Sequence, residues 1–180
     1  MLCTLSNVLK ISALRRSLLA LAGVAAVLAA PVAQAVEAGQ PAPAIDLPGL
    51  PAAVKLAELQ GKLVYLDFWA SWCGPCKQSF PWMNEMQARY GARGLKVVAV
   101  NLDAKREDAD KFLAEVPARF AIAFDAKGDS ARRYAVKGMP TSVLIGPAGQ
   151  VLAVHNGFRD SQRAELEAAI QAALPAAKNP

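Results

Sequence analysis

The sequence predicts an α/β fold, a central mixed β-sheet flanked by helices. Three observations carry this. First, the apolar run Leu63-Val64-Tyr65-Leu66 is followed by Phe80, Met83, Met86 and Tyr90, spaced three or four residues apart, and then by the β-rich run Leu95–Leu102. Strand, helix, strand at this spacing is a βαβ unit, and such crossovers are right-handed. Second, two β runs, Thr141–Ile145 and Gln150–His155, flank Gly146-Pro147-Ala148-Gly149, which has the composition of a hairpin turn. Third, Ser161–Leu174 places Leu166, Ala169, Ile170, Ala173 and Leu174 on one helical stripe that can pack on a sheet. A parallel crossover joined to an antiparallel hairpin makes the sheet mixed.

The chain begins with an export pattern. Lys10, Arg15 and Arg16 are the only charged residues among the first 35. Leu18–Ala30 is an unbroken run of Leu, Ala, Val and one Gly, and Ala33-Gln34-Ala35 offers a small-x-small cleavage site after Ala35. Residues 1–35 are therefore expected to be a signal peptide, and residues 36–180 the folded domain. The alternative is an uncleaved anchor; the run falls short of the roughly 20 residues a spanning helix needs, although Pro31-Val32-Ala33 extends it. Cys3 has no lipobox-like setting before the cleavage site. The expected address is the periplasm, with anchoring to the inner membrane as the variant of the same reading.

Val36–Pro51, rich in Pro, Ala and Gly, reads as an extended lead-in with Ile45 and Leu47 pinning a short strand. Val54–Leu59 reads as a small turn of helix. Gly61-Lys62 opens the central strand, Leu63–Trp69, apolar almost throughout as a strand covered on both faces must be. Gly91 and Gly94 stop the first helix. Asp103–Val116 is expected to be helical, capped by Asp103, with a solvated charged face over Lys105–Lys111 and an apolar face of Phe112, Leu113 and Val116. Phe120–Phe124 follows as a short strand and Asp129–Ala135 as a short helix. Asp160 or Ser161 is the expected cap of the last helix, and Pro175–Pro180 a frayed tail.

Composition argues against a nucleic-acid partner. The chain has 180 residues and a formal net charge of +5, but without the three charges of the leader the remainder carries 17 basic and 15 acidic residues. No basic stripe with interleaved aromatics is present, so nucleic acid is not an expected partner.

The chemistry concentrates in Asp67–Pro81, DFWASWCGPCKQSFP. Cys73 and Cys76 sit where the central strand turns into the first helix. Unpaired N–H groups and the helix dipole favour negative charge at a helix N-terminus. A thiolate is the species that attacks disulfides, so Cys73 is placed where its thiol pKa falls. Cys76, one turn in, can close a disulfide with it. A structural zinc site normally takes four ligands, and only two cysteines and His155 remain once the leader is set aside. A purely structural disulfide would close too short a loop to stabilise much. The pair does its chemistry with its own sulfurs, and no cofactor is expected and no metal site.

These residues resemble the thioredoxin family. Trp72-Cys73-Gly74-Pro75-Cys76-Lys77 is the thioredoxin active-site string as it stands, Asp67 falls where thioredoxins carry a buried acid, Pro81 where they carry a helix-kinking proline, and Gly138-Met139-Pro140-Thr141 resembles their cis-proline loop. The extra helix and strand between Leu102 and the last short helix resemble the exported TlpA-like branch. The resemblance covers about Ala44–Leu174. It implies a thioredoxin-like fold with a helix-strand insertion, Cys73 as attacking thiol, Cys76 as resolving thiol and Asp67 as the proton acceptor for Cys76. It further implies a cis Pro140 and a client surface of Trp72, Gly74, Pro75, Met139 and Pro140. Thioredoxins often keep a lysine beside the buried acid; the matching position here is Ala99. Trp69 is expected in the core or groove wall, Trp82 and His155 in structural roles.

Gly74-Pro75 resembles the dipeptide of reductants, and no histidine stands between the cysteines as it often does in oxidants. The expected activity is thus an exported thiol-disulfide reductase acting on disulfide-containing exported proteins and re-reduced by a membrane electron donor. Two other readings stay open. One is a reductant of apocytochrome c or copper-site cysteines, although Thr141-Ser142 stand where cytochrome-maturation members carry an acid after the cis-proline. The other, of a different class, is a copper-binding delivery protein, whose relatives use Cys-x-x-x-Cys and a downstream histidine.

Overall fold

The computed structural model describes residues 36–174. The leader, Cys3 and the tail from Pro175 lie outside the described residues. Within them the elements run β1 (Asp46–Leu47), β2 (Gly49–Leu50), β3 (Val54–Lys55), β4 (Leu63–Trp69), α1 (Gly74–Tyr90), β5 (Leu95–Asn101), α2 (Arg106–Glu115), β6 (Ala121–Phe124), α3 (Asp129–Arg133), β7 (Thr141–Ile145), β8 (Val151–Asn156) and α4 (Arg163–Ala173). No helix among the described residues is long and apolar enough to cross a membrane.

Six strands form one mixed sheet in the order β2-β6-β5-β4-β7-β8. β4, β5 and β6 are parallel; β7 pairs antiparallel with β4, and β8 with β7. Every residue of β4 is buried, because alternating side chains enter two separate cores. Leu63, Tyr65 and Trp69 pack with Phe80, Met83, Met86 and Tyr90 of α1 and with Leu166 and Ile170 of α4. Val64, Leu66 and Phe68 pack on the opposite face with Ile45, Val54 and Tyr134. Burying a side chain of this size is worth about 1.5–3 kcal/mol, so a one-residue slip of β4, which would exchange the two sets, is strongly disfavoured.

The insertion is built into the core. Phe112 of α2 lies 4.6 Å from Trp69 and 5.0 Å from Phe80, ring centre to ring centre, and Phe120 lies 5.3 Å from Phe80. Its strand β6 extends the sheet parallel to β5, while β2 closes the far edge antiparallel to β6. There Gly49 is required: a Cβ would stand 2.4 Å from the Ile122 carbonyl oxygen.

Several local expectations are corrected. Asp103 does not cap α2, which begins at Arg106 with no side-chain cap at Lys105. Neither Asp160 nor Ser161 caps α4: a 3-10 turn over Asp160–Gln162 feeds it directly. Ala169 on the expected stripe is exposed, while Leu166, Ile170 and Leu174 are buried. Val54–Leu59 divides into β3 and a 3-10 turn over Leu56–Leu59. β3 pairs with β1 in a separate two-stranded sheet. A cis bond at Leu50–Pro51 had no signal in the residues around it. Asp125, four residues before α3, accepts from the N–H groups of Asp129 and Ser130 and from the Ser130 hydroxyl, and so does the capping.

Candidate active site

β4 ends at Trp69, and four residues later the chain enters α1. Cys73 is the N-cap, with extended backbone, and Gly74 and Pro75 occupy the first two helical positions. Pro75 has no N–H to leave unpaired. The next donor, the Cys76 N–H, points back at Cys73 Sγ at 3.3 Å. The sulfur thus takes the capping role that a side-chain oxygen usually fills. Cys73 and Cys76 are joined in a disulfide, with Cα atoms 5.3 Å apart. Both residues are buried, and the surface beside them is made by Trp72, Gly74 and Pro75; the Trp72 residue is 74% exposed. Such exposure of a large ring is unusual beside a buried core.

The Met139–Pro140 bond is cis. Phe68 of β4 pairs with Thr141 of β7, so Pro140 falls opposite Trp69, at the end of β4 from which the cysteine loop leaves. The turn is pinned on both sides: the Thr141 hydroxyl donates to the Gly138 carbonyl at 2.7 Å, and the Gly157 N–H donates to the Pro140 carbonyl at 2.7 Å. Met139 is half-buried and leans on the core that holds both cysteines. Among the described residues its backbone N–H and carbonyl have no partner. An extended segment can pair with such free groups.

Asp67 lies on the α1 face of β4, in register with Ala99 of β5 and Ser142 of β7. The register sets Ala99 beside Asp67, at the position where the thioredoxin resemblance places a lysine. The Asp67 carboxyl is buried, and Oδ2 has no hydrogen-bond partner. Burial pushes its pKa well above the ordinary carboxylate range, because a charge loses its hydration there and no cation replaces it. Trp69 is core, with Phe80 at 4.9 Å, and Trp82 packs edge-on to Tyr65 at 5.5 Å. His155 stands on β8 opposite Ser142. Among the described residues no three His, Cys, Asp or Glu side chains are grouped so as to hold a metal ion.

Sequence reasoning missed the clamp behind the loop. The Asp103 carboxylate accepts from the Ser71 N–H at 2.9 Å, the Ser71 hydroxyl at 2.9 Å and the Asn101 side-chain amide at 2.7 Å. The Asp103 N–H donates to Asn101 Oδ1 at 3.1 Å. Ser71 is two residues before Cys73, so the clamp ties the cysteine loop to the end of β5. A signal existed. Asn101 and Asp103 are polar residues two apart at the carboxyl end of a buried parallel strand, and it is at that end that open α/β sheets gather their sites. Asp103→Ala strands the Ser71 and Asn101 donors, and we expect it to cost about 2–3 kcal/mol in urea denaturation. Asp103→Asn keeps the shape and one acceptor, and is expected to cost less.

Residues 37–170 match the family model described as Redoxin. The chain belongs to the Redoxin family. It sits in the TlpA-like branch of the thioredoxin superfamily. Thiol-disulfide oxidoreductase ResA of Oceanobacillus iheyensis is 37% identical over 112 residues, 62% of this chain and 58% of the relative. ResA of Bacillus subtilis is 34% identical over 104 residues, 58% of each chain. The match thus spans less than two thirds of the length of those relatives. Among solved structures, a Chlorobium tepidum protein described as thiol:disulfide interchange protein DsbE is 60% identical, with a TM-score of 0.77 over 78% of this chain and 100% of that one.

Proposed function

We propose that this protein is an exported thiol-disulfide oxidoreductase that works as a reductase of protein disulfides. The observation that carries the reading is the Cys73–Cys76 disulfide at the N-terminus of α1, beside an exposed Trp72 and the pinned Met139–Pro140 turn. Reduced Cys73 attacks a client disulfide as thiolate, aided by the Cys76 N–H and the helix dipole. The client lies along Met139, whose backbone can pair with it, against Trp72, Gly74 and Pro75. Asp67 takes the proton of Cys76, whose thiolate then attacks Cys73 Sγ. The client leaves reduced, and the enzyme is left oxidised.

Export rests on the leader-like residues 1–35, with residues 36–180 as the domain and the periplasm as its address. The clients are then disulfide-bearing exported proteins, and electrons come from a membrane donor. The copper-delivery reading has less support, since the cysteine spacing is two and His155 faces Ser142 from β8. The test is reduction of a disulfide-bonded model protein by the mature domain with a dithiol as electron source. The reading predicts catalysis over the dithiol alone, lost in Cys73→Ser; equal rates with and without the domain would refute it.

A further inference from the structure

The three parallel strands are each entered past an exposed cation. Lys62 immediately precedes β4, Arg93 stands just ahead of β5, whose second residue is the exposed Lys96, and Arg119 stands just ahead of β6. Because β4, β5 and β6 are parallel, the four cations gather at one end of the sheet, the end opposite the cysteine loop. Among the described residues none of the four is in an ion pair; the Arg93 guanidinium rests 5.6 Å from the Tyr90 ring centre. The segments that carry them, Gln60–Leu66, Met86–Leu102 and Val116–Phe124, hold no acid. Of the acids at this end, Glu58 is held by Lys55 and Glu167 by Arg89, which leaves Glu37. At the cysteine end acids stand among the bases instead: Asp103 and Asp125 follow β5 and β6, and Glu107 and Asp108 open α2. Lys96 and Arg119 share an open groove of about 420 Å³ with Phe120 and Pro51, and Leu50, next to Pro51, is 42% exposed. The cations thus have apolar surface beside them.

The chain also enters the domain at this end. β7 runs antiparallel to β4, so the turn between β7 and β8 lies beside the start of β4, where the Gly61 N–H donates to the Pro147 carbonyl at 2.9 Å. The first residues of the domain are tied to that same turn: the Ala42 N–H donates to the Gly149 carbonyl at 2.9 Å, and the Gly39 N–H to the Val151 carbonyl at 2.8 Å. The 35 residues before Val36 therefore join the domain at its cationic end.

We propose that Lys62, Arg93, Lys96 and Arg119 dock the domain on an anionic lipid surface. Two independent features choose this occupant. Unpaired cations with apolar residues beside them match a headgroup layer, where each basic side chain adds to binding. A leader engaged with a membrane presents this end to that membrane. β4 then carries the cysteine loop roughly 20 Å out from the headgroups, at about 3.3 Å per residue. The redox pair faces away from the lipid, toward soluble clients, and the domain stays on the surface after the leader is cut. The inference depends on the exported reading only for which membrane the domain meets.

The test is sedimentation of the chain from residue 36 with vesicles of phosphatidylcholine alone and of phosphatidylcholine mixed equally with phosphatidylglycerol. This piece is the part that the Chlorobium tepidum structure, 60% identical, matches over its whole length. The domain should bind the mixed vesicles, ignore the neutral ones, and let go as salt rises from about 0.05 to 0.5 M. Lys62→Gln with Arg93→Gln, and Lys96→Gln with Arg119→Gln, should each weaken binding about 25-fold, about fivefold per charge. Lys105→Gln with Lys127→Gln, at the cysteine end, should bind as wild type does. All variants should keep their melting temperature and their reduction of a soluble disulfide client. Equal binding to both vesicles, or an equal loss in the cysteine-end variant, would overturn the proposal. Capture by polyglutamate without binding to the mixed vesicles would overturn it in favour of an acidic polypeptide. Failure of the wild type to reduce a client, with lipid binding intact, would sink the reductase reading and leave this one standing.

Discussion

Asp67→Asn makes the protein more stable and slower. Asp67 is buried, unpaired at Oδ2, and raised in pKa by burial alone. Between its unfolded and folded pKa values the native state holds a proton that the unfolded state has released. Stability therefore falls as pH rises through that window, beginning near pH 4 and ending at the folded pKa. One proton corresponds to a slope of about 1.4 kcal/mol per pH unit. The asparagine variant lacks this term, so the difference in urea stability between the two proteins grows with pH at that slope and then levels. Below the unfolded pKa Asp67 is protonated both folded and unfolded, so the difference between the two proteins no longer changes with pH. Turnover moves the other way, falling by about a hundredfold or more, the low end of what a positioned base contributes. A variant with unchanged pH dependence of stability would mean that Asp67 is not ionising within the core.

Cys76→Ser accumulates a mixed disulfide with its client. Cys73 keeps its place at the helix N-terminus and can still attack, but nothing remains one turn in to release it. Non-reducing gels should show one covalent client per protein molecule, cleared by added dithiol. Cys73→Ser should show none. Steady-state turnover should fall by about three orders of magnitude or more in both, the scale at which removing a reacting group acts. Trapping by Cys73→Ser rather than by Cys76→Ser would reverse the assigned roles.

The frame of the fold was legible because burial imposes period on the sequence. β4 is apolar on both faces and α1 repeats Phe80, Met83, Met86 and Tyr90, and these signals placed strand, helix and cysteine pair together. The hairpin of β7 and β8 followed from its turn residues. Helix starts were less legible, because a polar residue can serve more than one end. Asp103 has the chemistry of a cap but turns back to Ser71 and Asn101, and Asp125 caps α3 from four residues upstream. The burial of Asp67 could be argued from its apolar neighbours. Its alignment with Ser142 and His155 could not, since that depends on the registers of three strands far apart in sequence.

The equilibrium reduction potential of the Cys73–Cys76 pair, measured in the mature domain against glutathione or dithiothreitol, tests the reductase reading most directly. Gly74-Pro75 between the cysteines and no histidine there predict a value near about −270 mV, the thioredoxin level. A value near about −120 mV, the level of a strong oxidant, would contradict it and make the protein a donor of disulfides.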